Sequence, residues 1–204
     1  MSLIRPHMIR LVAFFATISS LVSHAQDNCN LKNSPANPIL AVDTADIKCI
    51  SQNSAKPKTL FFTFGIWCSP CRAHLPGAIK LAADRDLDFY VLLLEKEDDQ
   101  KTADAIVYLR NLKPDIKIAI LKDSVYGEKR TKKNKKFVAE ITPKEFEVID
   151  DYSKYILLDQ QGQVLLVTNW KDNRDSKDWR DDSAVHQKII SLLSTVPRQE
   201  DKTP

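Results

Sequence analysis

The sequence predicts a mixed α/β domain, a central sheet covered by helices. Three observations predict it. Short apolar runs recur at Lys58–Phe64, Asp88–Leu94 and Ile116–Leu121. Stretches with helical periodicity separate them. Two further apolar runs then flank Gln160-Gln161-Gly162, a hairpin signal. Strands that alternate with helices and end in a hairpin point to a sheet with helices packed on it. The 204 residues fit one domain with extensions, and 43% hydrophobic content supplies a sizeable core.

Each element follows from its residues. Lys58–Phe64 (KTLFFTF) is bounded by Pro57 and Gly65 and reads as a buried strand. From Ser69 to Asp84, the apolar positions Leu75, Ile79, Leu81 and Ala82 fit a helix. Asp88–Leu94 is a second strand, Thr102–Leu112 a helix with Ala105, Ile106, Leu109 and Leu112 on one side, and Ile116–Leu121 a third strand. Between Lys129 and Lys136, six of eight residues are Lys or Arg, which reads as the solvated face of a connecting helix. Tyr155–Asp159 and Gln163–Thr168 form the hairpin, and Val185–Leu193 a closing helix. Trp170 and Trp179 fall in the polar stretch Asn169–Asp182, where they either pack a loop onto the core or form a partner surface.

The ends read differently. Arg5 and Arg10 precede an uncharged 12-residue run, Leu11–Val22, and then Ser23-His24-Ala25. This is the layout of a secretory signal peptide, residues 1–25, cleaved after about Ala25. A spanning helix needs about 20 apolar residues, more than this run offers. The expected compartment is therefore extracytoplasmic, with a periplasmic location the expectation. Residues 26–45 read as an irregular lead-in, 46–196 as the folded domain, and 197–204 as a polar tail. The net charge of +3 gives no reason to invoke nucleic acid. Four glycines leave no Gly-rich phosphate loop.

All four cysteines follow the leader, and export implies a setting in which disulfides persist. Cys68 and Cys71 are the natural pair; that leaves Cys29 with Cys49 as a structural disulfide or, alternatively, a second redox pair. The chemistry sits in Trp67-Cys68-Ser69-Pro70-Cys71, where the first long strand hands over to the first long helix. A sulfur at a helix start faces unpaired backbone N–H groups and the positive end of the helix dipole. Both favour the thiolate, lowering its pKa below about 8.5 toward neutrality. Cys71 falls one turn on, close enough to close a disulfide. Pro70 fits the first turn, where its missing N–H costs nothing. Cys68 is thus the expected nucleophile and Cys71 the resolving thiol, with Trp67 offering an apolar surface beside them. A zinc site would need a second close pair, which Cys29 and Cys49 do not form, so no metal and no cofactor is expected.

The segment Phe64-Gly65-Ile66-Trp67-Cys68-Ser69-Pro70-Cys71-Arg72, followed by His74-Leu75-Pro76, resembles the active-site segment of thioredoxin-fold proteins, and most closely the exported TlpA-like thiol reductases. The stretch Tyr155–Val164 is similar to that family's hairpin after the substrate loop. The resemblance covers about residues 45–195 and implies a thioredoxin-like fold with a sheet of four or five strands. It also implies periplasmic reduction of protein disulfides. Three positions depart from the family. Phe62 stands where a buried Asp is common, and His74 where Glu is common. Ser153, in the substrate loop with Tyr152, stands where the family carries a cis-proline facing the cysteines. An imidazole at 74 titrates near neutrality and could manage protons.

The expected function is therefore an exported thiol–disulfide oxidoreductase that reduces protein disulfides and is fed electrons by a membrane-bound donor. Its alternatives are an oxidase or isomerase on the same motif, or a thioredoxin-fold binding module without turnover. A copper chaperone is a further alternative, which no methionine-rich segment supports.

Overall fold

The computed structural model describes residues 29–194; the leader and the polar tail read from the sequence lie outside the described residues. Among the described residues, seven strands form one sheet. In chain order the elements are β1 (Lys32–Asn33), β2 (Leu40–Val42), α1 (Thr44–Gln52), β3 (Lys58–Phe64), α2 (Ser69–Asp84), β4 (Asp88–Leu93), α3 (Gln100–Leu112) and β5 (Lys117–Leu121). They continue as α4 (Asp123–Tyr126), α5 (Arg130–Ile141), β6 (Tyr155–Asp159), β7 (Val164–Val167), a 3₁₀ turn (Trp170–Asn173) and α6 (Ser183–Ser194). The strand order is β1-β2-β5-β4-β3-β6-β7. Strands β2, β5, β4 and β3 run parallel, while β1, β6 and β7 are antiparallel to their neighbours.

The middle strand β3 is buried from Thr59 to Phe64, which is why it reads as an unbroken apolar run. Its side chains alternate between two cores. Leu60, Phe62 and Phe64 belong to the core under Leu75, Ala78 and Ala82 of α2, Leu109 of α3 and Ile189 of α6. Phe61 faces the other core, with Ile47 and Ile50 of α1 and Phe137, Val138 and Ile141 of α5. Helices therefore cover both faces, and the end of β3 is held between them. In the hairpin after β6, Gly162 adopts φ 73°, a conformation that favours glycine.

Three expectations need correction. The sheet has seven strands rather than four or five, because the segment read as an irregular lead-in contributes β1 and β2. These strands have two and three residues, too short to show a periodicity. Helix α1 crosses the boundary placed at 45/46; its start is marked by a reciprocal cap between Asp43 and Asp46. The basic run is only partly a solvated face: Lys133 is 0% exposed. Its ammonium donates to the carbonyls of Glu95 (2.6 Å) and Leu121 (2.9 Å) and pairs with Asp123.

A disulfide joins Cys29 to Cys49 of α1, closing a loop of sequence separation 20. It ties the start of the described chain to the domain. In the chain-entropy view, such a loop contributes about 3 kcal/mol. Replacing both cysteines by serine is expected to lower the unfolding free energy, measured by urea titration, by about that amount while leaving the Cys68–Cys71 potential unchanged. A shifted potential would show instead that the two disulfides are energetically coupled.

Candidate active site

Cys68 caps the N-terminus of α2. Its Sγ accepts a hydrogen bond from the Cys71 backbone N–H at 3.1 Å, and its own N–H donates to the Gly65 carbonyl at 2.9 Å. Pro70 stands in the first turn. Cys68 and Cys71 form a disulfide with Cα atoms 5.2 Å apart. In this oxidised form Cys68 is 4% exposed and Cys71 0%. Although mostly covered, Cys68 borders a pocket of about 510 Å³, while Cys71 does not. Ser69 and Pro70 are exposed at the same mouth.

Trp67 lies flat against Gly65. A Cβ at position 65 would fall 2.6 Å from the indole, so only glycine permits this approach. The guanidinium of Arg130, from the start of α5, stacks 3.7 Å above the same ring, and Tyr152 meets it edge-on at 4.7 Å. The basic run thus reaches the cysteine site through Arg130.

The loop 151–154 faces the cysteines. Its backbone is pinned to the end of β3: Thr63 N–H donates to the Lys154 carbonyl (3.0 Å), and Lys154 N–H donates to Thr63 Oγ1 (2.8 Å). Ser153 adopts φ 63°, and no cis peptide occurs among the described residues. A left-handed serine thus occupies the place where the resemblance implies a cis-proline. Lys154 is buried, and burial pushes its ammonium pKa down, against the pull of its partner Asp151.

His74 joins three segments. Its Nε2 bonds the Trp179 carbonyl at 2.8 Å, and its Nδ1 bonds Ser153 Oγ at 2.9 Å. A carbonyl only accepts, so Nε2 carries the proton. The serine hydroxyl can donate to Nδ1 or accept from it. His74 therefore fastens α2 to the loop bearing Ser153 and to the segment bearing Trp179. Below it, Tyr155 donates to Asp182, which also bonds His186 at 3.2 Å. Burial opposes ionisation of Asp182, yet the bonds from His186 and Tyr155 outweigh it and hold that carboxyl below its usual range.

Sequence reasoning missed Glu95, which lies two residues past the end of β4 and is 2% exposed. Its carboxylate accepts from the Ile66 N–H (3.1 Å) and the Leu94 N–H (3.2 Å), bracing the loop that leads to Cys68. Burial pushes its pKa up; the backbone bonds and the Arg130 charge offset this in part. The folded state therefore binds this proton more tightly than the unfolded one. Its contribution to stability is present below the ordinary value of 4.5 and is lost as pH rises through the raised folded value. Glu95→Gln removes the titration, so the stability of the variant relative to native is expected to be highest at neutral pH and to decline on acidification. Urea midpoints across pH check this; a difference independent of pH would contradict it. Phe62, where the resemblance implies a buried acid, packs edge-on against Tyr155 in the core.

No family model and no curated protein matches the chain. Several solved structures show similarity, two of which follow. One is a solution structure of a thiol:disulfide interchange protein from Bacteroides sp., at 13% identity and TM-score 0.43, covering 76% of this chain and 81% of that one. The other is a crystal structure of thio-disulfide isomerase from Thermus thermophilus, at 16% identity and TM-score 0.45, covering 81% of this chain and 92% of that one.

Proposed function

We propose that the chain is a thiol–disulfide oxidoreductase that reduces protein disulfides through Cys68 and Cys71. One observation carries the reading: a disulfide at the mouth of α2, with the N-terminal sulfur beside an open pocket and its partner sealed beneath. In the reduced protein, the Cys68 thiolate attacks one sulfur of a substrate disulfide. That S–S bond breaks, a Cys68–substrate disulfide forms, and the departing thiolate takes up a proton. The Cys71 thiolate then attacks Cys68 Sγ. The Cys68–Cys71 disulfide forms, the second substrate thiol leaves, and two electrons have passed to the substrate. A dithiol donor returns the pair to its reduced state.

We further propose, from the leader-like segment 1–25 and the TlpA-like motif around Cys68, that the protein works in the periplasm and receives electrons from a membrane-bound dithiol protein. Cell fractionation tests the location. The direction of flow is tested by the Cys68–Cys71 potential, expected near the thioredoxin value of about −270 mV. A value above about −160 mV would make the protein an oxidant instead.

A further inference from the structure

The pocket beside Cys68 has a wall that disulfide exchange itself does not require. Trp170 and Trp179 form it, from the segment between β7 and α6. Their backbones are tied to the cysteine site: Trp170 N–H donates to Asp151 (2.6 Å), and the Trp179 carbonyl accepts from His74 (2.8 Å). Both residues are nonetheless largely exposed, at 58% and 54%, with only the Lys171 ammonium (5.9 Å) and the Arg180 guanidinium (5.7 Å) over their rings. Large, mostly exposed aromatic rings on a backbone tied beside a reactive sulfur are suited to receive an apolar group.

Charge narrows the occupant. No Lys or Arg lines the pocket; its charged lining residues are Asp151 and Asp182, already engaged by Lys154 and His186. Among the lining residues a substrate carboxylate would meet two carboxylates and no cation; Lys171 and Arg180, over the rings of Trp170 and Trp179, pair with Glu147 and Asp178, and Arg130 is stacked on Trp67. The volume of about 510 Å³ lies within the range of about 300–1,000 Å³ typical of ligand pockets and accommodates a large side chain next to the cysteine.

Resting on the redox reading above, we infer that the substrate is a protein segment with an aromatic or large aliphatic side chain adjacent to its disulfide-bonded cysteine. Trp170 and Trp179 bind that side chain and set the specificity. Anionic small disulfides such as glutathione disulfide are poor substrates.

The test uses the reduced protein and two peptide disulfides identical except for Phe or Glu beside the cysteine. Single-turnover rates are measured for the native chain and for a Trp170→Ala/Trp179→Ala variant. The native protein is expected to prefer the Phe peptide by roughly tenfold, and the variant to lose most of that preference. The ratio is internal to each protein, so a smaller folded fraction cancels. Equal native rates, or a preference that survives in the variant, would overturn the inference. Native exchange with hydroxyethyl disulfide, a neutral small molecule, separates the two claims: if that also fails, the redox reading itself falls.

Discussion

Cys68→Ser is expected to reduce insulin disulfides no faster than the dithiothreitol blank, whereas Cys71→Ser is expected to accumulate a covalent adduct with its substrate. The asymmetry follows from the geometry. Cys68 borders the pocket and its Sγ is the one held by a helix N-terminal N–H. Cys71 is fully enclosed in the core, where an external disulfide cannot reach it. Removing the first sulfur removes the attack; removing the second leaves the attack and abolishes release. Non-reducing electrophoresis and mass spectrometry of the adduct distinguish the two. Turnover retained in Cys68→Ser would reject the assignment. Turnover absent from the native protein would favour a binding module that keeps the site without using it.

The largest stability loss is expected from Lys133→Ala. This ammonium is enclosed, and it satisfies two carbonyls, those of Glu95 and Leu121, besides the Asp123 carboxylate. Deleting one partner of a buried ion pair costs about 3–5 kcal/mol, because the groups left behind have no water to replace it. Lys135→Ala and Lys136→Ala, on the exposed side of the same helix, should stay within about 0.5 kcal/mol. Urea unfolding of the three variants makes the comparison. Equal small losses would mean that Lys133 finds solvent.

Much of this molecule was legible where the signal is local. The run Lys58–Phe64 and the helix from Ser69 are read from consecutive residues, and the cysteine site lies at their junction. The hairpin around Gly162 is equally local. Lys133 was legible in principle. Phe137, Val138 and Ile141 face the core, and residues one helical turn earlier, Lys133 and Asn134, share that face. The density of charge concealed the period.

Other features were not legible because the partners lie far apart in sequence. His74 meets Ser153 across 79 residues and Trp179 across 105. Glu95 meets Ile66 only because β4 pairs in parallel with β3. The role of Trp170 and Trp179 depends on the same closure. Nothing in the polar stretch around them points to the cysteines.

Titrating the Cys68 thiol in the reduced protein, by thiolate absorbance or by the pH dependence of alkylation, bears most directly on the role of the helix mouth. The N–H donated by Cys71 and the α2 dipole should hold its pKa below the free-cysteine value of about 8.5. A pKa at or above that value, or a sulfur that alkylating agents cannot reach, would contradict it.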